Sequence, residues 1–98
     1  MEPIPALQLF KCLADTSRLQ ILKALSKEDM YVERLAERLN LSSATISSHM
    51  KKLEEIGAVL PRREQYYTMY SLCADVFSPR IIDLIQKEDN DASGDERE

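Results

Sequence analysis

Apolar residues recur at helical spacing along most of this 98-residue chain. Leu7, Phe10, Leu13 and Ala14 follow Pro5, a residue suited to the first turn of a helix. Asp15 reads as the N-cap of a second helix carrying Leu19, Ile21, Leu22 and Leu25. Residues 26–30 are polar enough for a connection. Val32, Leu35, Ala36 and Leu39 stand at i, i+3, i+4 and i+7, the pattern of a short amphipathic helix. Asn40 tolerates left-handed backbone and can end it. Ser42 offers the N-cap of a fourth helix with apolar positions Ile46, Met50, Leu53 and Ile56. Gly57 supplies the left-handed residue just past its end.

Beyond Gly57 the period changes. Val59-Leu60 reads as a short apolar strand, and residues 66–72, rich in Tyr, Thr and Met, as a second. Pro61-Arg62-Arg63-Glu64-Gln65 between them makes a hairpin with a basic stem. Residues 75–87 read as a last helix carrying Val76, Phe77, Ile81, Ile82, Leu84 and Ile85. The predicted fold is mainly α, about five helices with a small β-hairpin wing. Only two glycines are present, which argues against a turn-rich all-β fold. We expect one domain over residues 1–87 and an acidic, disordered tail over 88–98.

Two short helices joined by a tight turn at Asn40-Leu41-Ser42 make a helix-turn-helix, whose second helix enters the major groove of DNA. Around that second helix Ile46, Met50 and Leu53 point one way. Ala44, Ser47, Ser48, Lys51 and Lys52 point the other. Small residues let the backbone approach base edges, and hydroxyls can donate to or accept from bases and phosphates. The bland alternative is the solvated face of a plain helical bundle.

The net charge of −4 at first opposes a DNA partner. Its distribution reverses that reading. From Glu88 onward the chain holds six acids and one base, whereas the preceding residues hold twelve bases and eleven acids. The domain is close to neutral, and Lys51, Lys52, Arg62 and Arg63 can cluster on one side of it. No run approaches a membrane span, and the acidic N-terminus lacks the basic start of a signal peptide, so a cytoplasmic protein is expected. No Gly-rich phosphate loop, Gly-x-Ser-x-Gly or Cys/His pair suggests an enzyme.

The run Leu9-Phe10-Lys11-Cys12-Leu13-Ala14-Asp15-Thr16-Ser17-Arg18-Leu19-Gln20-Ile21-Leu22 resembles the opening of the ArsR/SmtB family of bacterial winged helix-turn-helix regulators. Leu35-Ala36-Glu37-Arg38-Leu39-Asn40-Leu41-Ser42, followed by Thr45-Ile46-Ser47-Ser48-His49-Met50, is similar to that family's helix-turn-helix. Leu53-Glu54-Glu55-Ile56-Gly57-Ala58-Val59, Arg62-Arg63-Glu64 and Tyr70-Ser71-Leu72 resemble its wing. The resemblance spans residues 6–85 and implies a homodimeric repressor on double-stranded DNA, released from an imperfect inverted repeat by an effector. It implies base contacts at Ser43, Ala44, Ser47 and Ser48, with Thr45 and His49 nearby, and wing contacts at Arg62 and Arg63. The outward helix face itself places Lys51 and Lys52 for phosphates, and Ser42 and Tyr66 are added as contacts at the helix start and the wing. His49 lies between the buried and outward faces, where a DNA contact and a hydrogen-bonded residue at the core edge are equally open readings. Glu64-Gln65-Tyr66 departs from the Gly and Arg common at the family's wing tip, which implies a weaker minor-groove grip.

Two apolar stripes exceed what one small fold covers. Ile4, Leu7, Leu9, Phe10 and Leu13 on the first helix, with Phe77, Ile81, Ile82, Leu84 and Ile85 on the last, predict a twofold dimer interface. The family's metal sites draw on a Cys-x-Cys pair before the turn or on His and carboxylates of the last helix. Here Tyr31-Val32-Glu33 and a last helix without His stand in those places, so no metal or other cofactor is expected. Cys12 is read as a small buried hydrophobe and Cys73 as an incidental surface thiol; the alternative is a dithiol switch sensing oxidants or reactive sulfur. Two rival functions are a winged-helix protein-interaction module that does not bind DNA, and the DNA-binding part of a larger regulator.

Overall fold

The computed structural model describes residues 6–73, 75–77, 80–84 and 86. Ile4, Ile85 and the acidic tail over 88–98 lie outside the described residues. In chain order the elements are α1 (Ala6–Leu13), α2 (Thr16–Lys27), β1 (Met30–Tyr31), α3 (Val32–Leu39), α4 (Ser43–Glu55), β2 (Val59–Arg63) and β3 (Thr68–Leu72). A further helical segment, α5, covers residues 80–84 and 86.

The helix boundaries follow from local chemistry. Asp15 is extended and accepts the Arg18 N–H on Oδ1 at 2.9 Å, satisfying one of the orphan donors at the start of α2. Ser42 does the same for α4, accepting the Thr45 N–H at 3.0 Å. α3 stops where Asn40 turns left-handed at φ 59, and α4 where Gly57 does so at φ 78. Both ends carry the paired closing bonds of a Schellman turn. Leu41 N–H reaches the Ala36 carbonyl at 3.0 Å, and Ala58 N–H the Leu53 carbonyl at 2.9 Å. The Asn40 turn therefore sets the angle at which α4 leaves α3.

The sheet is antiparallel with strand order β1-β3-β2. The β1 strand lies inside what the sequence presents as a connection. Met30 pairs with Tyr70 and Tyr31 with Met69, so tertiary pairing makes a strand of two residues too short to show a period. β2 is longer than Val59-Leu60: it continues through Pro61 and Arg62 to Arg63, paired with Thr68. Pro61 is accommodated because β2 is an edge strand.

Ile21, Leu22, Leu35, Ile46, Met50, Leu53 and Val59 are almost wholly buried and come from α2, α3, α4 and β2. Burying each such side chain stabilises the fold by about 1.5–3 kcal/mol. This core clamps the inward side of α4 and leaves its other side to solvent. Among the described residues no helix is long and apolar enough to cross a membrane.

The last helix departs from expectation. Residues 75–77 form a turn, and the described helical residues are 80–84 and 86. The sequence itself carries a proline at 79, a residue that disfavours a helix continuing through it, which the apolar spacing does not register. Phe77 is accordingly no part of a helical stripe; it is 2% exposed and completes this chain's own core. Its placement in a dimer interface is corrected. Leu9, Leu13, Ile81 and Ile82 are half-buried against the same core. Leu7, Phe10 and Leu84 remain 65%, 64% and 60% exposed.

Candidate nucleic-acid interface

The helix-turn-helix brings most of the predicted contact residues onto one surface. Ser42, Ser43, Ala44, Thr45, Ser47, Ser48, Lys51 and Lys52 are all exposed, while Ile46, Met50 and Leu53 anchor the opposite side of α4. At the helix start the Ser42 hydroxyl is committed locally, donating to Thr45 Oγ1 at 2.9 Å while it caps the Thr45 N–H. Ser42 is therefore a structural cap first. Ser47 and Ser48 make no side-chain hydrogen bond among the described residues, which leaves their hydroxyls available to a ligand.

His49 sits on the flank of α4 that faces α2. Arg18 Nη1 approaches its Nδ1 at 3.4 Å. A guanidinium only donates, so the contact assigns the lone pair to Nδ1 and the proton to Nε2. Arg18 also donates from Nε to the Cys12 carbonyl at 3.2 Å and stands 3.9 Å from Asp15. One guanidinium thus ties the end of α1, the cap of α2 and the flank of the recognition helix together. Its backbone N–H is the main reason the Asp15 carboxyl is held below its ordinary value. Nothing in the periodicity of the chain singles out this hub.

The wing is less basic than its composition suggests. Arg62 donates from Nε to Glu64 at 2.7 Å and from Nη1 to Asp29 at 3.1 Å. These two carboxylates raise the Arg62 pKa and occupy two of its three nitrogens. Arg63 makes no ion pair among the described residues and is exposed. Tyr67 stacks on Tyr31 with ring centroids 4.4 Å apart, pinning the wing to the strand before α3. Tyr66 stands 87% exposed at the wing tip, free of that packing. Tyr70 is half-buried, and burial, aided by nearby Glu54, raises its pKa. Between wing and helix lies a cleft of about 360 Å³ bordered by Ser43, Ser47, Tyr66 and Thr68.

This geometry has close counterparts. Residues 15–59 match the family model for bacterial regulatory proteins of the arsR family. The transcriptional repressor SdpR of Bacillus subtilis is 33% identical over 86 residues, covering 85% of this chain and 96% of that protein. The chain belongs to the ArsR family of bacterial regulatory proteins. Solved structures share its architecture. A homodimeric winged helix-turn-helix DNA-binding domain from Mycobacterium bovis superposes with a TM-score of 0.74 at 30% identity, covering 89% of this chain and 80% of that one. HlyU from Vibrio cholerae superposes with a TM-score of 0.70 at 33% identity, covering 83% and 84%. Membership makes the chain a DNA-binding winged helix-turn-helix regulator of transcription, and it is the Mycobacterium bovis domain that is described as a homodimer.

The cysteines are placed differently from expectation in one respect. Cys12 is buried as predicted, but Cys73 is buried too, at 3% exposure, and is no surface thiol. Its N–H bonds to the Ala58 carbonyl at 2.9 Å, closing the open end of the hairpin against the end of α4. Burial pushes the Cys12 thiol up, with Arg18 pulling the other way. A thiol held protonated is a poor nucleophile, which counts against a fast redox switch at this position. Among the described residues no three His, Cys, Asp or Glu side chains form a cluster that could hold a metal.

Proposed function

We propose that this ArsR-family protein is a cytoplasmic homodimeric repressor that reads an imperfect inverted repeat through the outward strip of α4. The carrying observation is the division of α4 into two sides. Ile46, Met50 and Leu53 lock it into the core, and Ala44, Ser47, Ser48 and Lys51 stand out in solvent. Ser47 and Ser48 would meet base edges, Lys51 and Arg63 phosphates, and Tyr66 the neighbouring groove edge. His49 would offer its Nε2 proton to a phosphate, steadied from behind by Arg18. The short residues favour readout of DNA shape beside direct readout.

Leu7, Phe10 and Leu84 supply the exposed apolar surface of the proposed twofold interface, with Ile4 and Ile85 assigned to it from sequence alone. SdpR is named a repressor and HlyU an activator, so the sign of control rests on mechanism. A small dimer lying across a promoter excludes other proteins by occupancy, which favours repression.

Selection of duplexes from a randomised pool tests this reading. The enriched sites should be inverted repeats with half-sites one helical turn, about 34–36 Å, apart. Such a repeat, placed over a promoter, should lower transcription in vitro when the protein is added. Enrichment of isolated half-sites, or of nothing, would overturn the proposal and leave a protein-interaction module in its place.

A further inference from the structure

Beside the proposed DNA-facing strip lies a second feature, which shares Lys52 with it. A cavity of about 280 Å³ opens between α1, the start of α2 and the last turns of α4. Lys11, Arg18 and Lys52 line it from three different helices, against the single carboxylate of Glu55. Arg18 already faces the Cys12 carbonyl, His49 and, at 3.9 Å, Asp15, so the positive balance of the cavity rests mainly on Lys11 and Lys52. Lys11 and Lys52 are exposed and make no ion pair among the described residues. Gln8 adds an amide donor, while Ile56 and the lysine stems add apolar wall. A concave apolar wall with a few convergent donors is how small-molecule sites are built.

We propose that this cavity binds a small organic anion, with its carboxylate held by Lys11, Arg18 and Lys52 and its apolar body on Ile56, and that occupancy weakens DNA binding. The location supplies the coupling. α1 presents Leu7 and Phe10 to solvent on one side and Lys11 to the cavity on another. Arg18 touches the His49 flank of α4 and the carbonyl end of α1. A ligand drawing Lys11, Arg18 and Lys52 together changes the tilt of α4 against the helix proposed for dimerisation, and with it the spacing of the two recognition helices. It also withdraws Lys52 from nearby phosphates. By linkage, a ligand that loosens DNA is itself bound less tightly by the DNA complex.

The first arm of the test needs no DNA, so it can fail separately from the DNA reading on which the second arm rests. Benzoate is titrated into the isotope-labelled full chain and followed by amide chemical shifts, with benzyl alcohol, benzylamine and inorganic phosphate as controls. Benzoate should give saturable shifts concentrated at Gln8, Lys11, Arg18 and Ile56, and the neutral and cationic analogues none there. Lys11→Glu should weaken benzoate binding about tenfold while leaving the remaining spectrum folded; Gln8→Glu should do the same more mildly. Unsaturable or scattered shifts, equal binding of benzyl alcohol, or unchanged affinity in both variants would overturn the site. Phosphate binding as tightly as benzoate would also overturn it, reassigning the cavity to a DNA phosphate. In the second arm, saturating benzoate at constant ionic strength should lower operator affinity about fivefold or more. An unchanged affinity would remove the regulatory half of the proposal.

Discussion

The recognition helix and the wing carry the same number of predicted basic contacts, yet their charges are in different states. Lys51 and Lys52 on α4 make no ion pair among the described residues, whereas Arg62 on β2 is held by Asp29 and Glu64. Exposed ion pairs of this kind contribute little to stability. Their effect lies elsewhere: they keep a guanidinium oriented and partly neutralised on the face that would meet DNA. A census of bases therefore overstates the wing's grip, and Arg63 remains as its available cation.

The largest effect on this comparison should come from breaking the helix side. Ser47→Glu with Ser48→Glu places two carboxylates where phosphates and base edges are expected, and like charges at such an interface cost several kcal/mol. Operator affinity measured by fluorescence anisotropy should fall by more than about a hundredfold, while thermal stability stays close to wild type because both positions are exposed. Retained affinity would move the DNA surface off α4.

A smaller effect, of opposite sign, should come from releasing the wing. Asp29→Asn with Glu64→Gln removes the two negative charges facing Arg62 without changing side-chain size. Binding to random duplex should tighten several-fold at low salt, with little change in sequence preference, since phosphate contacts position rather than specify. Weaker binding, or none of this gain, would mean that the two carboxylates hold Arg62 in its productive pose.

Local chemistry made much of this molecule legible in its sequence. Asp15 and Ser42 cap the helices they were expected to cap, and Asn40 and Gly57 take the left-handed backbone their chemistry permits. The inward and outward sides of α4 follow directly from its period. What escaped were consequences of distant pairing. Met30-Tyr31 becomes a strand only because Tyr70 and Met69 lie opposite it. Asp29 reaches Arg62 from 33 residues away, and Arg18 finds His49 from 31. Phe77 misled for another reason: it happens to stand four residues before Ile81, so a turn residue of the core mimicked a helical stripe. The proline at 79 was the available signal.

The central claim is that DNA is held by α4 with Arg63 in support, while Arg62 is withheld. The salt dependence of operator affinity tests it most directly, compared among wild type, Lys51→Ala, Arg63→Ala and Arg62→Ala. Each lost phosphate contact lowers the slope of log affinity against log salt by about 0.9, and a homodimer loses two per substitution. Lys51→Ala and Arg63→Ala should each flatten the slope by roughly two. Arg62→Ala should leave the slope nearly unchanged. A flattening by Arg62→Ala equal to that of Arg63→Ala, or none by Lys51→Ala, would contradict the account.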